Sequence, residues 1–257
     1  MLNYQIQNNN SNKWVVFLHG IGGSINTWKK QIDDFKNYNL LLIDLPGHGK
    51  SKTDNKITIK QVNESIKEVL DYVGIDKADF VGLSLGTLVG AHFAIKYPSR
   101  VKTLIMGGSV IQVEGIYKFL MNMVQKVKRF LPHRLLFHVM ARIMLPKKNH
   151  KKSRMIFIRE SLKMTRKVFL DWVNYIAEIA YPEKLIEKLK TLNIKMLFVS
   201  GDEDRCFLSG TKKLADCLAK AKLYIIQKCG HVCSIEKAKE FNTAVLNFLQ
   251  PQPVLAY

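Results

Sequence analysis

No apolar run in the 257-residue chain approaches the roughly 18 residues that a bilayer-spanning helix needs. The N-terminus, Met1-Leu2-Asn3-Tyr4-Gln5, lacks the basic start and apolar stretch of an export signal. A soluble, cytoplasmic protein is therefore expected. Cysteine is scarce: Cys206, Cys217, Cys229 and Cys233 all fall in the last quarter, without a paired C-x-x-C. Neither a zinc site nor a disulfide is expected from that spacing, and the four read as ordinary buried thiols. No cofactor and no metal is read from any other pattern. Internal repeats are absent, as is low complexity beyond the short Asn8-Asn9-Asn10 run.

Acidic residues are few, 21 against 40 Lys and Arg, giving a formal charge of +19. Such a surplus suits nucleic acid, an anionic membrane or an acidic substrate. The cations do not alternate with aromatics in one block, as a strand-binding surface requires, so no nucleic-acid partner is expected. Apolar residues at 47% and charged residues at 24% exclude a disordered or fibrous chain. The length suits one catalytic domain.

What is present is an alternation. Val15–Leu18, Leu40–Ile43, Phe80–Val81, Leu104–Met106, Met196–Val199 and Leu223–Ile226 are short apolar runs that read as buried parallel strands. Helical spacing lies between them, as in Ile59-Val62-Ile66-Val69-Leu70-Val73 before the third strand and Leu85-Leu88-Val89-Phe93-Ala94 after it. Strand and helix in turn predict a doubly wound, mostly parallel sheet of the α/β class. The alternation stops from 111 to 190, where about four helices are expected. One face groups Ile116, Phe119, Leu120, Met123, Val124 and Val127; Pro132 breaks that helix. A second groups Leu135, Leu136, Val139, Met140 and Ile143 and ends at Pro146; a third holds Val168, Phe169, Trp172, Val173 and Ile176; a fourth carries Leu185, Ile186 and Leu189. Residues 1–110 and 191–257 then form the core and 111–190 an insertion.

Gly82-Leu83-Ser84-Leu85-Gly86 is G-x-S-x-G between a strand and a helical pattern. A serine at such a turn takes a strained backbone that lifts its hydroxyl clear of the sheet, and side chains at the flanking glycines would strike neighbouring backbone. The hydroxyl is too weak an acid to attack an ester unaided; it needs a base, and the base needs an orienting acid. Gly201-Asp202-Glu203-Asp204 follows the fifth run and Gly230-His231 the sixth, so acid and base come after the serine, on loops at strand C-termini. His19-Gly20-Ile21-Gly22-Gly23-Ser24 follows the first run. By itself it is a glycine turn; beside a nucleophile, the N–H groups of Ile21 and Leu85 would form an oxyanion hole.

These motifs, with Asp44-Leu45-Pro46-Gly47-His48-Gly49-Lys50-Ser51 and Pro98-x-Arg100-Val101, occur in the order found in α/β-hydrolases, and the chain resembles that family of esterases, lipases and C–C hydrolases along nearly its whole length. The resemblance implies Ser84 as nucleophile, Asp204 as acid, His231 as base and Ile21 with Leu85 as oxyanion donors. Asp204 is preferred because the family's acid usually stands three residues after the glycine; Asp202 and Glu203 remain alternatives. The insertion is implied to be a cap. Thr87 stands where a small residue is usual, and no proline follows Asp204 at the familiar offset. His19, His48 and His92 are assigned packing or hydrogen bonding, not chemistry.

Residues 111–190 hold 18 Lys and Arg against 6 Asp and Glu, so most of the surplus charge lies in the cap. Either its cations form a solvated outer face, or they seat the cap on anionic lipid or draw acidic acyl substrates. Its Met, Phe and Leu suit an apolar substrate portion, so the expected substrate is an ester or thioester with an apolar acyl or aryl part. Two other functions share the triad. One is C–C cleavage or elimination, which inward arginines among Arg129, Arg134, Arg142, Arg154, Arg159 and Arg166 would favour. The other is a ligand-sensing or protein-binding module.

Overall fold

The apolar runs become strands in the computed structural model, which describes residues 1–53, 56–112, 115–179 and 182–250. The strands are β2 (Trp14–Leu18), β3 (Asn39–Ile43), β4 (Ala78–Leu83), β5 (Val101–Gly107), β6 (Lys195–Gly201) and β7 (Ala221–Ile226), preceded by β1 (Tyr4–Gln7). They form one sheet in the order β1-β3-β2-β4-β5-β6-β7, parallel throughout except for β1 against β3. The interior strands are buried on both faces, which is why they read as continuous apolar runs. β7, expected to be buried, is instead half-exposed with Tyr224 open to solvent, because it is an edge with one neighbour.

The strand order fixes where a site can form. The chain runs from β2 outward to β3, then crosses back to place β4 on the other side of β2. The loops after β2 and β4 therefore leave the sheet in opposite directions, opening a crevice at the C-terminal strand ends, where ligands bind in open parallel sheets.

α1 (Ile59–Val73) is capped by the Thr58 hydroxyl, which accepts from the Gln61 N–H, and stops at Gly74 in the left-handed region. Its Val62, Ile66, Val69 and Leu70 are buried, the stripe its spacing predicts. α2 (Leu85–Lys96) is buried along most of its length beneath it. One face of the sheet carries Phe80 stacked on Phe93 at 5.0 Å, the other Phe17 on Trp28 at 4.8 Å.

Among the described residues, five helices lie between β5 and β6: α3 (Gly115–Val127), α4 (His133–Met144), α5 (Lys151–Ser161), α6 (Arg166–Ile179) and α7 (Pro182–Lys190). α5 was not expected; its sequence K-K-S-R-M-I-F-I-R-E-S carries no clean stripe. Two expected faces divide. On α3, Leu120 and Val124 turn inward while Ile116, Phe119 and Met123 are exposed; on α4, Leu136 is buried while Leu135 and Val139 are exposed. α6 reaches the loop after β3, where Trp172 Nε1–H donates to the Pro46 carbonyl at 3.0 Å. α5 meets the loop after β2, with Ser161 packed on Gly22. α7 packs against α2, burying Leu185 and Leu189. The C-terminal part adds α8 (Leu208–Asp216), the short α9 (Cys233–Glu236) and α10 (Ala238–Leu249).

His92, on α2, has its pKa lowered to about 4 by burial and secondarily by Lys188. A histidine whose folded pKa lies below its unfolded value takes up its proton more readily when unfolded, so stability falls as pH drops from about 6.5 to about 4. His92→Leu is expected to flatten that decline by up to about 1.4 kcal/mol per pH unit, read from urea unfolding midpoints between pH 7 and 4. An unchanged slope would show that His92 is not the group titrating.

Candidate active site

Ser84 sits between β4 and α2 with φ 52° and ψ −115°, a conformation that L-residues adopt only under constraint. A Cβ at Gly86 would collide with the Leu18 carbonyl oxygen, and one at Gly82 with the carbonyl of Gly86, so the strand and helix approach this closely only because both positions lack side chains. Two bonds fix the turn. The Ser84 N–H donates to the Gly107 carbonyl at 2.9 Å, and the Thr87 hydroxyl donates to the Ser84 carbonyl at 2.6 Å. Thr87, the departure from the common pattern, thus acts as a clamp on the bend.

His231 follows β7, and its Nε2 lies 2.9 Å from Ser84 Oγ; its Nδ1 lies 2.8 Å from Asp204 Oδ2. A carboxylate can only accept, so Nδ1 carries the proton, and Nε2 accepts from the serine hydroxyl. Asp204 and His231 are buried, and Ser84 is 9% exposed. The Phe207 ring lies against the imidazole, centroids 4.8 Å apart.

The other two acids in the acidic turn have separate partners. Asp202 Oδ1 accepts from the Cys229 N–H at 3.1 Å. Glu203 turns toward the helical segment and accepts from Lys147, Asn149 and His150 at 2.5, 2.8 and 2.8 Å; bonds from Asn149 and Lys147 hold its carboxyl at about 2.

Ile21 and Leu85 flank the serine from two elements. Leu85 opens α2, where the amide N–H precedes the helix's own ladder. In the loop after β2, the N–H of Gly23 is taken by the Gly20 carbonyl and that of Gly22 by His48 Nε2. Gly20 lies against the serine: a Cβ there would stand 3.2 Å from that of Ser84. His19 and His48 brace this loop, and both rings are neutral. Each accepts a backbone N–H on Nε2, from Leu45 and Gly22, and so donates from Nδ1, to Gly20 and Pro46. Burial lowers His19 to about 4 and His48 well below its usual value.

Two hollows lie near these residues. The one at Ser84 and His231 is walled by Ile156, Phe157 and Glu160 of α5. The other is apolar, lined by Leu120 and Val124 of α3, Met140 and Ile143 of α4, Val173 of α6, and Phe207, which also touches His231; Gln125 supplies an amide. Among the described residues no Lys, Arg, Asp or Glu lines this second hollow. The six arginines considered as inward groups lie elsewhere. Arg129, Arg134, Arg142, Arg159 and Arg166 are exposed, and Arg154 donates to the Leu145 and Lys147 carbonyls. Cys206, Cys229 and Cys233 are free and buried, and burial raises each thiol, Cys206 to about 12; Cys217, expected to be buried, is exposed.

A second layer had no signal in the sequence. The Glu236 carboxylate accepts from the N–H groups of Gly230 and Val232, at 3.1 and 3.2 Å, gripping the backbone on both sides of His231. His150, fully buried, places Nε2 2.8 Å from Glu203 and 3.7 Å from Glu236. The loop between α4 and α5 is thereby bonded to the loop holding Asp204 and lies against Glu236 beside the loop holding His231.

Residues 13–238 match the family described as the alpha/beta hydrolase fold. A 2-hydroxy-6-oxononadienedioate/2-hydroxy-6-oxononatrienedioate hydrolase of Klebsiella pneumoniae is 30% identical, the match covering 91% of this chain and 86% of the relative. Its namesake in Escherichia coli K12 is 29% identical with the same coverage. Among solved structures, the enol-lactonase from Burkholderia xenovorans LB400 superposes with a TM-score of 0.84 at 19% identity, over 96% of each chain. MGS-M2, an alpha/beta hydrolase from a Medee basin deep-sea metagenome library, gives 0.79 at 26%, over 100% of this chain and 96% of the other.

Replacing Glu236 by Ala strands two buried N–H donors beside His231. The variant is expected to react with a fluorophosphonate at Ser84 roughly tenfold more slowly or worse, because small misplacements of a base are costly, and Glu236→Gln to recover part of the rate. An unchanged labelling rate in folded Glu236→Ala would contradict the gripping role.

Proposed function

Because the chain belongs to the α/β-hydrolase family, we propose that it hydrolyses a carboxylic ester or thioester with an apolar acyl or aryl portion through an acyl-enzyme on Ser84. That it is a hydrolase of this fold follows from the family; the substrate class and residue roles are our reading. One observation carries it: the Ser84, His231 and Asp204 side chains stand in hydrogen-bonding series next to a hollow without charged lining.

His231 Nε2 takes the proton of Ser84 Oγ as the oxygen attacks the carbonyl carbon. Negative charge collects on the carbonyl oxygen, where the N–H groups of Ile21 and Leu85 and the positive end of α2 stabilise it. Asp204 keeps the imidazole in the required tautomer and supports the imidazolium. The leaving alcohol or thiol departs with the proton from His231. Water, deprotonated by the same imidazole, then releases the acid and restores the serine.

The relatives' names favour a second reading. Hydrolysis of an oxo-dienedioate breaks a carbon–carbon bond beside a carbonyl, and the same three groups serve when the departing group is a carbon acid. A dioate carries two carboxylates, and the apolar hollow supplies no cation among the described residues. If C–C cleavage is the reaction, an uncharged substituent fits that hollow better.

A fluorophosphonate probe with peptide mapping, followed by p-nitrophenyl esters of graded chain length and an aryl-substituted 2-hydroxy-6-oxo-dienoate, separates the readings. The expected result is a label on Ser84, turnover of medium-chain esters, and a loss of roughly 10³-fold or more in Ser84→Ala. Faster turnover of the dienoate would replace the ester reading with the C–C one. A label elsewhere, or ligand-dependent capture of a partner without turnover, would end both.

A further inference from the structure

Residues 115–159, spanning α3, α4 and most of α5, contain twelve Lys and Arg and not one Asp or Glu. The same stretch holds most of the large apolar side chains exposed on the described surface: Ile116, Phe119, Met123, Phe130, Leu135, Val139 and Met155. Elsewhere such residues occur singly, as in any soluble protein.

On α3 the exposed residues are ordered. Ile116, Phe119 and Met123 recur at helical spacing, and Phe130, 84% exposed, ends the turn that follows. Their stripe adjoins Leu120 and Val124, which line the apolar hollow. The helix thus carries one broad apolar arc, covered along one margin and open along the other. Lys118, Lys126 and Arg129 flank the open stripe, exposed and without a carboxylate in ion-pair range among the described residues. Lys128 alone turns inward, donating to Gln125 and to Asn174 of α6, which anchors the end of α3 to the body.

We propose that this face, α3 with the turn carrying Arg129 and Phe130, docks on the surface of an anionic lipid bilayer. Apolar side chains that project between cations match the boundary where acyl chains meet anionic headgroups. A second copy of the chain is disfavoured as occupant, since a two-fold pairing would set cations against cations. A nucleic acid would satisfy the charge but leave Ile116, Met123 and the aliphatic part of the stripe in water. No helix among the described residues is long and apolar enough to cross a membrane, so the contact is peripheral. It does not depend on which bond the enzyme cleaves.

The test is co-sedimentation of the full chain with vesicles of phosphatidylcholine alone and with about a third phosphatidylglycerol. Binding to the anionic vesicles is expected to be at least tenfold tighter and to weaken in 0.5 M NaCl. The triple change Lys118→Glu, Lys126→Glu, Arg129→Glu should remove most of it, as should Ile116→Ser, Phe119→Ser, Phe130→Ser. Both variants should keep the wild-type thermal unfolding and the wild-type rate of fluorophosphonate labelling. Equal binding to both vesicle types, wild-type binding by either folded variant, or no vesicle binding would overturn the proposal. So would a salt-resistant dimer, or RNA capture, in place of vesicle binding.

Discussion

The bend at Ser84 is the constraint on which the rest of the molecule depends. A residue with φ 52° and ψ −115° stores about 1–3 kcal/mol of strain, and it persists because every neighbour is arranged around it. Gly82 and Gly86 let β4, α2 and the end of β2 close on one another; Gly107 and Thr87 hold the peptide groups on either side. α2 is consequently buried along most of its length, and the switch in strand order opens a crevice where the hydroxyl emerges.

Asp204 and His231 arrive from loops and stand 27 residues apart in the chain, and loops are ordinarily the least rigid parts of a fold. Here each is tied down twice. Glu236 fixes the backbone around His231, Glu203 fixes the turn holding Asp204, and His150, bonded to Glu203, stands 3.7 Å from Glu236. The helical segment therefore does more than wall the hollows: through Lys147, Asn149 and His150 it helps hold the loops on which the chemistry would depend. Neighbouring acids in one turn thus differ in role by what they face. Asp204 meets an imidazole, Glu203 a cluster of donors, and Asp202 a backbone amide.

Much of this was legible in the sequence, for physical reasons. Buried parallel strands leave unbroken apolar runs, and the strand, G-x-S-x-G and helix pattern specifies a bend that few other contexts need. What was hidden falls into three kinds. β1 was missed because an edge strand buries little, and Tyr4-Gln5-Ile6-Gln7 leaves no run; α5 was missed because its charges interrupt any stripe. Periodicity also groups apolar residues without saying how much of their arc is covered, so Ile116 and Phe119, neighbours of Leu120 and Val124 on α3, lie on its open margin. Finally, residue type alone does not choose among Asp202, Glu203 and Asp204, where only the family's spacing points to Asp204, and the Glu236 and His150 brace exists only in three dimensions.

The measurement closest to the central claim is a crystal structure of the protein after reaction with a phosphonate probe. The account predicts phosphorus bonded to Ser84 Oγ and the phosphoryl oxygen about 2.7–3.1 Å from the amide nitrogens of both Ile21 and Leu85, with His231 still on Asp204. An adduct on another residue, or a phosphoryl oxygen turned away from those two amides, would contradict it.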